Sequence, residues 1–176
     1  VAPRHLEATH GERIFRTVEV MFSIVTVCTG NICRSPMAEA LLRSELTDAG
    51  LAQRVRVSSA GVSDEEHGNP VDPRARTVLN RNHLELPEHQ AHRITDAELA
   101  DADLILAMTR SHRDQLQRRL PTDDARRVRL MRSFDPAVAG SQADLDIADP
   151  WYGDSDDFDT AWEQICLLYT SDAADE

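Results

Sequence analysis

The sequence contains no lysine. All 19 of its basic side chains are arginine, set against 31 carboxylates, and the net charge is −12. That deficit of positive charge argues against nucleic acid or an anionic membrane as the main partner. The exclusive use of arginine reads as a GC-rich coding bias. Cysteine is nearly as scarce: Cys28, Cys33 and Cys166, at uneven spacing, form no disulfide framework. A reactive thiol in such a chain requires a reducing compartment. No run approaches the ~20 apolar residues of a transmembrane helix, and the first residues carry no signal-peptide core. A cytoplasmic location is expected. Aromatics make up only 5% of the 176 residues, but 41% are hydrophobic, which predicts one domain with enough chain for a proper core.

What is present concentrates in one stretch, Val27-Cys28-Thr29-Gly30-Asn31-Ile32-Cys33-Arg34-Ser35-Pro36. Upstream, Phe22 to Val27 is apolar except for Ser23 and Thr26, the pattern of a strand covered on both faces. Downstream, Ser35 is expected to cap a helix, with Pro36 in its first turn and Met37, Ala38, Leu41, Leu42 and Leu46 at helical spacing. A loop between a buried strand and a helix N-terminus gathers backbone N–H groups around an anion. Cys28 in that position is expected to be a thiolate, since such cysteines have pKa values of roughly 3.5–7.5. Arg34, six positions on, can offer two oxygens of a tetrahedral anion a planar fork. Gly30 and Asn31 tolerate the left-handed backbone that inward-pointing amides require, and Ser35 can also hydrogen-bond the cysteine sulfur. A bare Cys-x5-Arg is cheap, but this filling and context point to phosphoryl transfer to sulfur.

The same string resembles the phosphate-binding loop of the low-molecular-weight protein tyrosine phosphatases. The resemblance runs from about Met21 to Ile165 and has a second focus at Asp149-Pro150-Trp151-Tyr152-Gly153-Asp154. It implies Cys28 as nucleophile, Arg34 as phosphate clamp and Asp149 as general acid. Thr29, Gly30, Asn31, Ile32, Cys33 and Ser35 would contact substrate from the loop, and Trp151 and Tyr152 would line the mouth. Ser59, in Ser59-Ala60-Gly61, would brace the loop asparagine, and His89 would hydrogen-bond the loop. His92 stands where the family often has arginine. No metal or organic cofactor is implied, and His89 and His92 lack a third ligand at sensible spacing. The implied partner is a phosphotyrosine-containing protein. A bacterial source and a monomer or weak dimer are expected.

Between these foci the chain alternates strands and helices. Val55 to Ser58 reads as a second strand with Ser59-Ala60-Gly61 at its end, and Val62 to Pro70 as a loop carrying a solvated His67. Asp72-Pro73 opens a helix to about Asn82, and Thr95 or Asp96 caps a short acidic one. Leu104 to Ala107 is a third strand. The next helix ends near Arg119, its Arg and His side chains read as a solvated face, and Val128 to Met131 is a fourth strand. A last helix begins at Asp156 or Asp157 and buries Phe158, Ala161, Trp162 and Ile165. The fold class is therefore α/β: a four-stranded parallel sheet with helices on both faces and the phosphate-binding loop after the first strand. Residues 1–20 are expected to be a disordered or non-native leader, and 166–176 to be sequencing-adaptor read-through, with 21–165 the domain.

The activity expected is hydrolysis of protein phosphotyrosine through a phosphocysteine, with Cys33 capturing a Cys28 sulfenic acid under peroxide. Three rivals are weighed. A thioredoxin-coupled arsenate reductase needs cysteines between Arg34 and Ile165 that this chain lacks. A silent phosphoprotein-binding module would not need Cys28, Arg34 and Asp149 together. An arginine phosphatase is nearer, and the resemblance makes Ile32 the discriminating position, where threonine favours phosphoarginine. Ile32→Thr should therefore raise the ratio of phosphoarginine to phosphotyrosine kcat/KM; an unchanged ratio would remove Ile32 from substrate choice.

Overall fold

A computed structural model describes residues 21–86, 88–138 and 144–166. The expected leader and most of the expected read-through, with Leu168 and Tyr169, lie outside the described residues. Strand β1 (Phe22–Cys28) lies at the centre of a parallel sheet. It is flanked by β2 (Val55–Gly61) on one side and by β3 (Leu104–Ala107), then β4 (Val128–Leu130), on the other. The order β2-β1-β3-β4 makes the carboxyl end of β1 the point where the chain's crossovers diverge, the place where open α/β sheets bind ligands.

Alternate β1 side chains enter two cores. On one face Cys28 joins residues of α1 (Arg34–Asp48), α2 (Pro73–Arg81) and α5 (Ser155–Cys166). On the other, Val25 and Val27 pack with Leu99 of α3 (Asp96–Asp101) and Leu116 of α4 (Arg110–Gln117). Helices thus cover both faces. Thr26, a polar break in β1, is fully buried and donates its hydroxyl to the Ser35 carbonyl at 2.8 Å, tying strand to helix. Asp72 caps α2, and Thr95 with Glu98 forms a reciprocal capping box on α3.

Four expectations are corrected. Ser35 does not cap α1: the N-cap is Cys33, without a side-chain cap bond, and Ser35 sits inside the first turn with its hydroxyl turned to the loop. β2 does not end at Ser58: Ser59, Ala60 and Gly61 are its last three residues, in register opposite Thr26, Val27 and Cys28. Pairing along the whole of β1 overrides the local turn preference of serine and glycine. The helix after β3, expected to run to Arg119, closes at Gln117, and β4 ends at Leu130, with Met131 beginning a 3-10 turn.

Gly61 is where β2 touches the loop. Its N–H donates to the His92 carbonyl, and a Cβ there would lie 2.5 Å from the Thr29 carbonyl oxygen. Gly61→Ala should therefore destabilise the protein by about 1–3 kcal/mol and lower kcat/KM by displacing Thr29. A thermal melt and turnover both matching the parent would show that the loop can yield there.

Candidate active site

The loop from Cys28 to Ser35 is held from beneath by Asn31. This residue is fully buried with φ 61°, in the left-handed region that asparagine tolerates better than most. Its Nδ2 donates to Ser35 Oγ at 3.0 Å and to Ser59 Oγ at 2.9 Å, and its Oδ1 accepts the His92 backbone N–H at 3.2 Å. Its carbonyl lies 2.7 Å from His89 Nε2, which donates to it. Burial lowers the His89 pKa, against the opposing effect of that hydrogen bond, and the ring serves as a neutral donor.

Behind Ser59 stands a residue that the sequence reading missed. Ser59 donates to Glu39 Oε2 at 2.6 Å, and Glu39, itself buried, pairs with Arg43 at 2.6 Å. The available signal was an acid inside the apolar first half of α1. A chain of hydrogen bonds thus runs from Glu39 through Ser59, Asn31 and Ser35 to the Cys28 sulfur, 3.1 Å from Ser35 Oγ. Ser35 has one proton and two acceptors in reach, that sulfur and the Ala60 carbonyl at 3.2 Å. Turning the proton from carbonyl to sulfur supplies a hydrogen bond whenever the sulfur is anionic.

Arg34 is buried at 3% exposure. Its Nη1 donates to the Ile147 carbonyl at 2.9 Å, and its Nη2 to Asp149 Oδ2 at 2.5 Å and, more weakly, to Thr29 Oγ1 at 3.4 Å. Its Nε is buried with no hydrogen-bond partner among the described residues. An unpaired guanidinium N–H in the interior is costly, and on an arginine that lines one cleft with Cys28 it is suited to an anion's oxygen. Cys33 is also buried; desolvation, reinforced by Asp72 and Cys28, pushes its pKa up and keeps it a protonated thiol.

Asp149 comes from a segment more than a hundred residues away and starts a 3-10 turn, Pro150–Tyr152, with its Oδ1 accepting the Trp151 N–H. Arg74 fastens this segment, donating to the Gly153 carbonyl at 2.9 Å and the Trp151 carbonyl at 3.3 Å while lying over the Trp151 and Phe158 rings. Sequence reasoning missed Arg74, which only its place after the Asp72-Pro73 cap could have suggested. Trp151 and the almost fully exposed Tyr152 line one cleft together with Cys28, Gly30, Ile32 and Arg34. Glu65 and Glu66, also unforeseen, line it too.

The reading of α4 as a solvated face is wrong for His112. It is buried, with Nε2 3.0 Å from Thr29 Oγ1, because Thr109 caps α4 at the same sheet end as the cysteine loop. His67, by contrast, is solvated beside Asp64.

A sequence model of the family described as low molecular weight phosphotyrosine protein phosphatase matches residues 23–168. The chain is 43% identical over 145 residues to the low molecular weight protein-tyrosine-phosphatase of Streptomyces coelicolor, covering 82% of this chain and 87% of that protein. Among solved structures, a protein tyrosine phosphatase from Entamoeba histolytica superposes with a TM-score of 0.75 at 24% identity, covering 82% of this chain and 89% of that one. The YwlE arginine phosphatase from Geobacillus stearothermophilus gives 0.70 at 31% identity, covering 84% and 87%.

The Asn31 contacts predict a graded loss. Asn31→Gly keeps the left-handed backbone but deletes three side-chain hydrogen bonds; Asn31→Ala adds about 1–2 kcal/mol of backbone strain. Both should lose kcat/KM, with the alanine variant the less stable in denaturant melts. Full activity in the glycine variant would mean that the bracing bonds contribute nothing.

Proposed function

The chain belongs to the low molecular weight phosphotyrosine protein phosphatase family, and from that membership we propose how its cleft hydrolyses an aryl phosphate monoester. It is a protein-tyrosine phosphatase, a hydrolase of phosphoric monoesters. The observation that carries the residue assignment is the buried Arg34, its Nε unpaired, sharing one loop with the Cys28 sulfur.

In the proposed first step the Cys28 thiolate attacks phosphorus in line. The S–P bond forms as the P–O bond to the tyrosyl oxygen breaks, and Asp149 gives that oxygen its proton. Arg34 and the loop N–H groups hold the equatorial oxygens, where charge is concentrated. A phosphoryl group competing for the guanidinium releases Asp149 from its 2.5 Å contact, freeing the carboxyl to face the leaving oxygen. In the second step the Asp149 carboxylate takes a proton from water, the water oxygen bonds to phosphorus, and the P–S bond breaks. Ser35, 3.1 Å from the sulfur, steadies the returning thiolate. Glu39, Ser59, Asn31 and His89 keep the loop in shape, and no cofactor enters any step.

Ile32 and Trp151 supply apolar surface to the cleft wall, which suits an aryl ring. The likeness to an arginine phosphatase keeps phosphoarginine as the second reading, and the apolar Ile32 favours the first. The proposed setting is the bacterial cytoplasm, with a phosphotyrosine protein as partner and the enzyme a monomer or weak dimer. Two observations support it: no helix of the described residues is long and apolar enough to cross a membrane, and the net charge of −12 disfavours anionic polymers and surfaces.

Asp149→Asn tests the acid. It should slow phenyl phosphate by about 10²–10⁴-fold and a nitrophenyl phosphate much less, because the better leaving group needs less protonation. Equal losses on both would assign Asp149 to holding Arg34 rather than to proton transfer.

A further inference from the structure

Behind the cysteine loop lies a buried imidazole that the chemistry above leaves unused. His112, in the first turn of α4, is only 5% exposed and sits between two threonine hydroxyls. Its Nδ1 is 3.0 Å from Thr109 Oγ1, and its Nε2 is 3.0 Å from Thr29 Oγ1. Thr109 Oγ1, as the cap of α4, already accepts the His112 backbone N–H at 3.3 Å, so its own proton is free for Nδ1. The ring proton then resides on Nε2 and is donated to Thr29. Thr29 Oγ1 also accepts from Arg34 Nη2, which occupies both of its lone pairs and leaves its proton unused. Thr29 lines the same cleft as Cys28 and Arg34.

We propose that His112 is a positioning residue: protonated on Nε2, it fixes the Thr29 hydroxyl so that this hydroxyl donates to a phosphoryl oxygen in the cleft. Thr29 thereby becomes a side-chain donor to substrate as well as part of the backbone cradle, and His112 acts through it without touching substrate. Neutrality of the ring is built in. Burial, and after it the charge of Arg34, push the His112 pKa down to about 4, against weaker opposing effects of Asp149 and Asp146. A ring carrying its proton on Nδ1 instead would accept the Thr29 O–H in a hydrogen bond at Nε2, and no donor would remain for the cleft.

The inference rests on the phosphatase reading for the identity of the anion, so the test uses inorganic phosphate. Binding is measured by calorimetry and by competitive inhibition. Thr29→Val and His112→Leu should each weaken phosphate by about tenfold to a hundredfold, and the double variant should lose no more than the worse single one. His112→Gln, whose amide N–H stands near the place of Nε2, should recover most of the loss in His112→Leu. Nitrogen-15 spectra of the histidine rings should show the His112 proton on Nε2 at neutral pH. Multiplicative losses in the double variant, undiminished phosphate binding in folded variants, or a proton on Nδ1 would each overturn the proposal. If His112→Leu fails to fold, Thr29→Val and the tautomer decide it. Phosphotyrosine turnover by the parent protein judges the phosphatase reading separately.

Discussion

Burial of one cation sets the terms for the whole cleft. The Arg34 guanidinium has left water almost completely, and a charge in that position is tolerated only when its hydrogen bonds are met and an opposite charge is near. The Ile147 carbonyl meets one N–H and the Asp149 carboxylate another, and both come from a segment remote in sequence from the loop. That segment is in turn tied to the sheet through the Ile147 N–H and the Met108 carbonyl, and to α2 through Arg74. The requirement for partners around Arg34 thus brings the acid to the nucleophile. The Nε, without a partner among the described residues, is the remaining demand, and in the proposed chemistry a phosphoryl oxygen meets it.

A second constraint is geometric. A loop whose amides face inward needs a left-handed residue, and Asn31 supplies the conformation while its side chain makes the bonds that keep it. Glu39 and Ser59 continue the same network into α1 and β2, so cradle, first helix and second strand are one hydrogen-bonded unit. Truncating a member at the far end therefore reaches the sulfur without altering any group that contacts substrate.

Much of this was legible in the sequence. The apolar runs of β1 and β3 stand out, as do the turn residues between them, and the cysteine loop carries its chemistry in contiguous residues. The errors share a cause. The strand expected from the sequence ends at Ser58, short of Ser59-Ala60-Gly61, because serine and glycine are weak strand formers, yet pairing with β1 carries β2 through Gly61. Ser35 offered two readings, a helix cap and a partner for the Cys28 sulfur; one hydroxyl serves one place, and the structure gives it to the sulfur. Glu39, Arg74 and His112 were read as ordinary polar positions or passed over. Their partners lie tens of residues away, at Ser59, at the Trp151 and Gly153 carbonyls and at Thr29, and only the fold brings them together.

The central claim is that Cys28 becomes phosphorylated in turnover. An Asp149→Ala variant, which should form the phosphoenzyme from an activated aryl phosphate faster than it hydrolyses it, can be quenched in acid within one turnover, digested and read by mass spectrometry. The account predicts one phosphoryl group on the peptide containing Cys28, and none when Cys28→Ser is combined with that variant. A phosphoryl group on any other residue, or steady turnover by Cys28→Ser with Cys28 unlabelled in the parent, would contradict it.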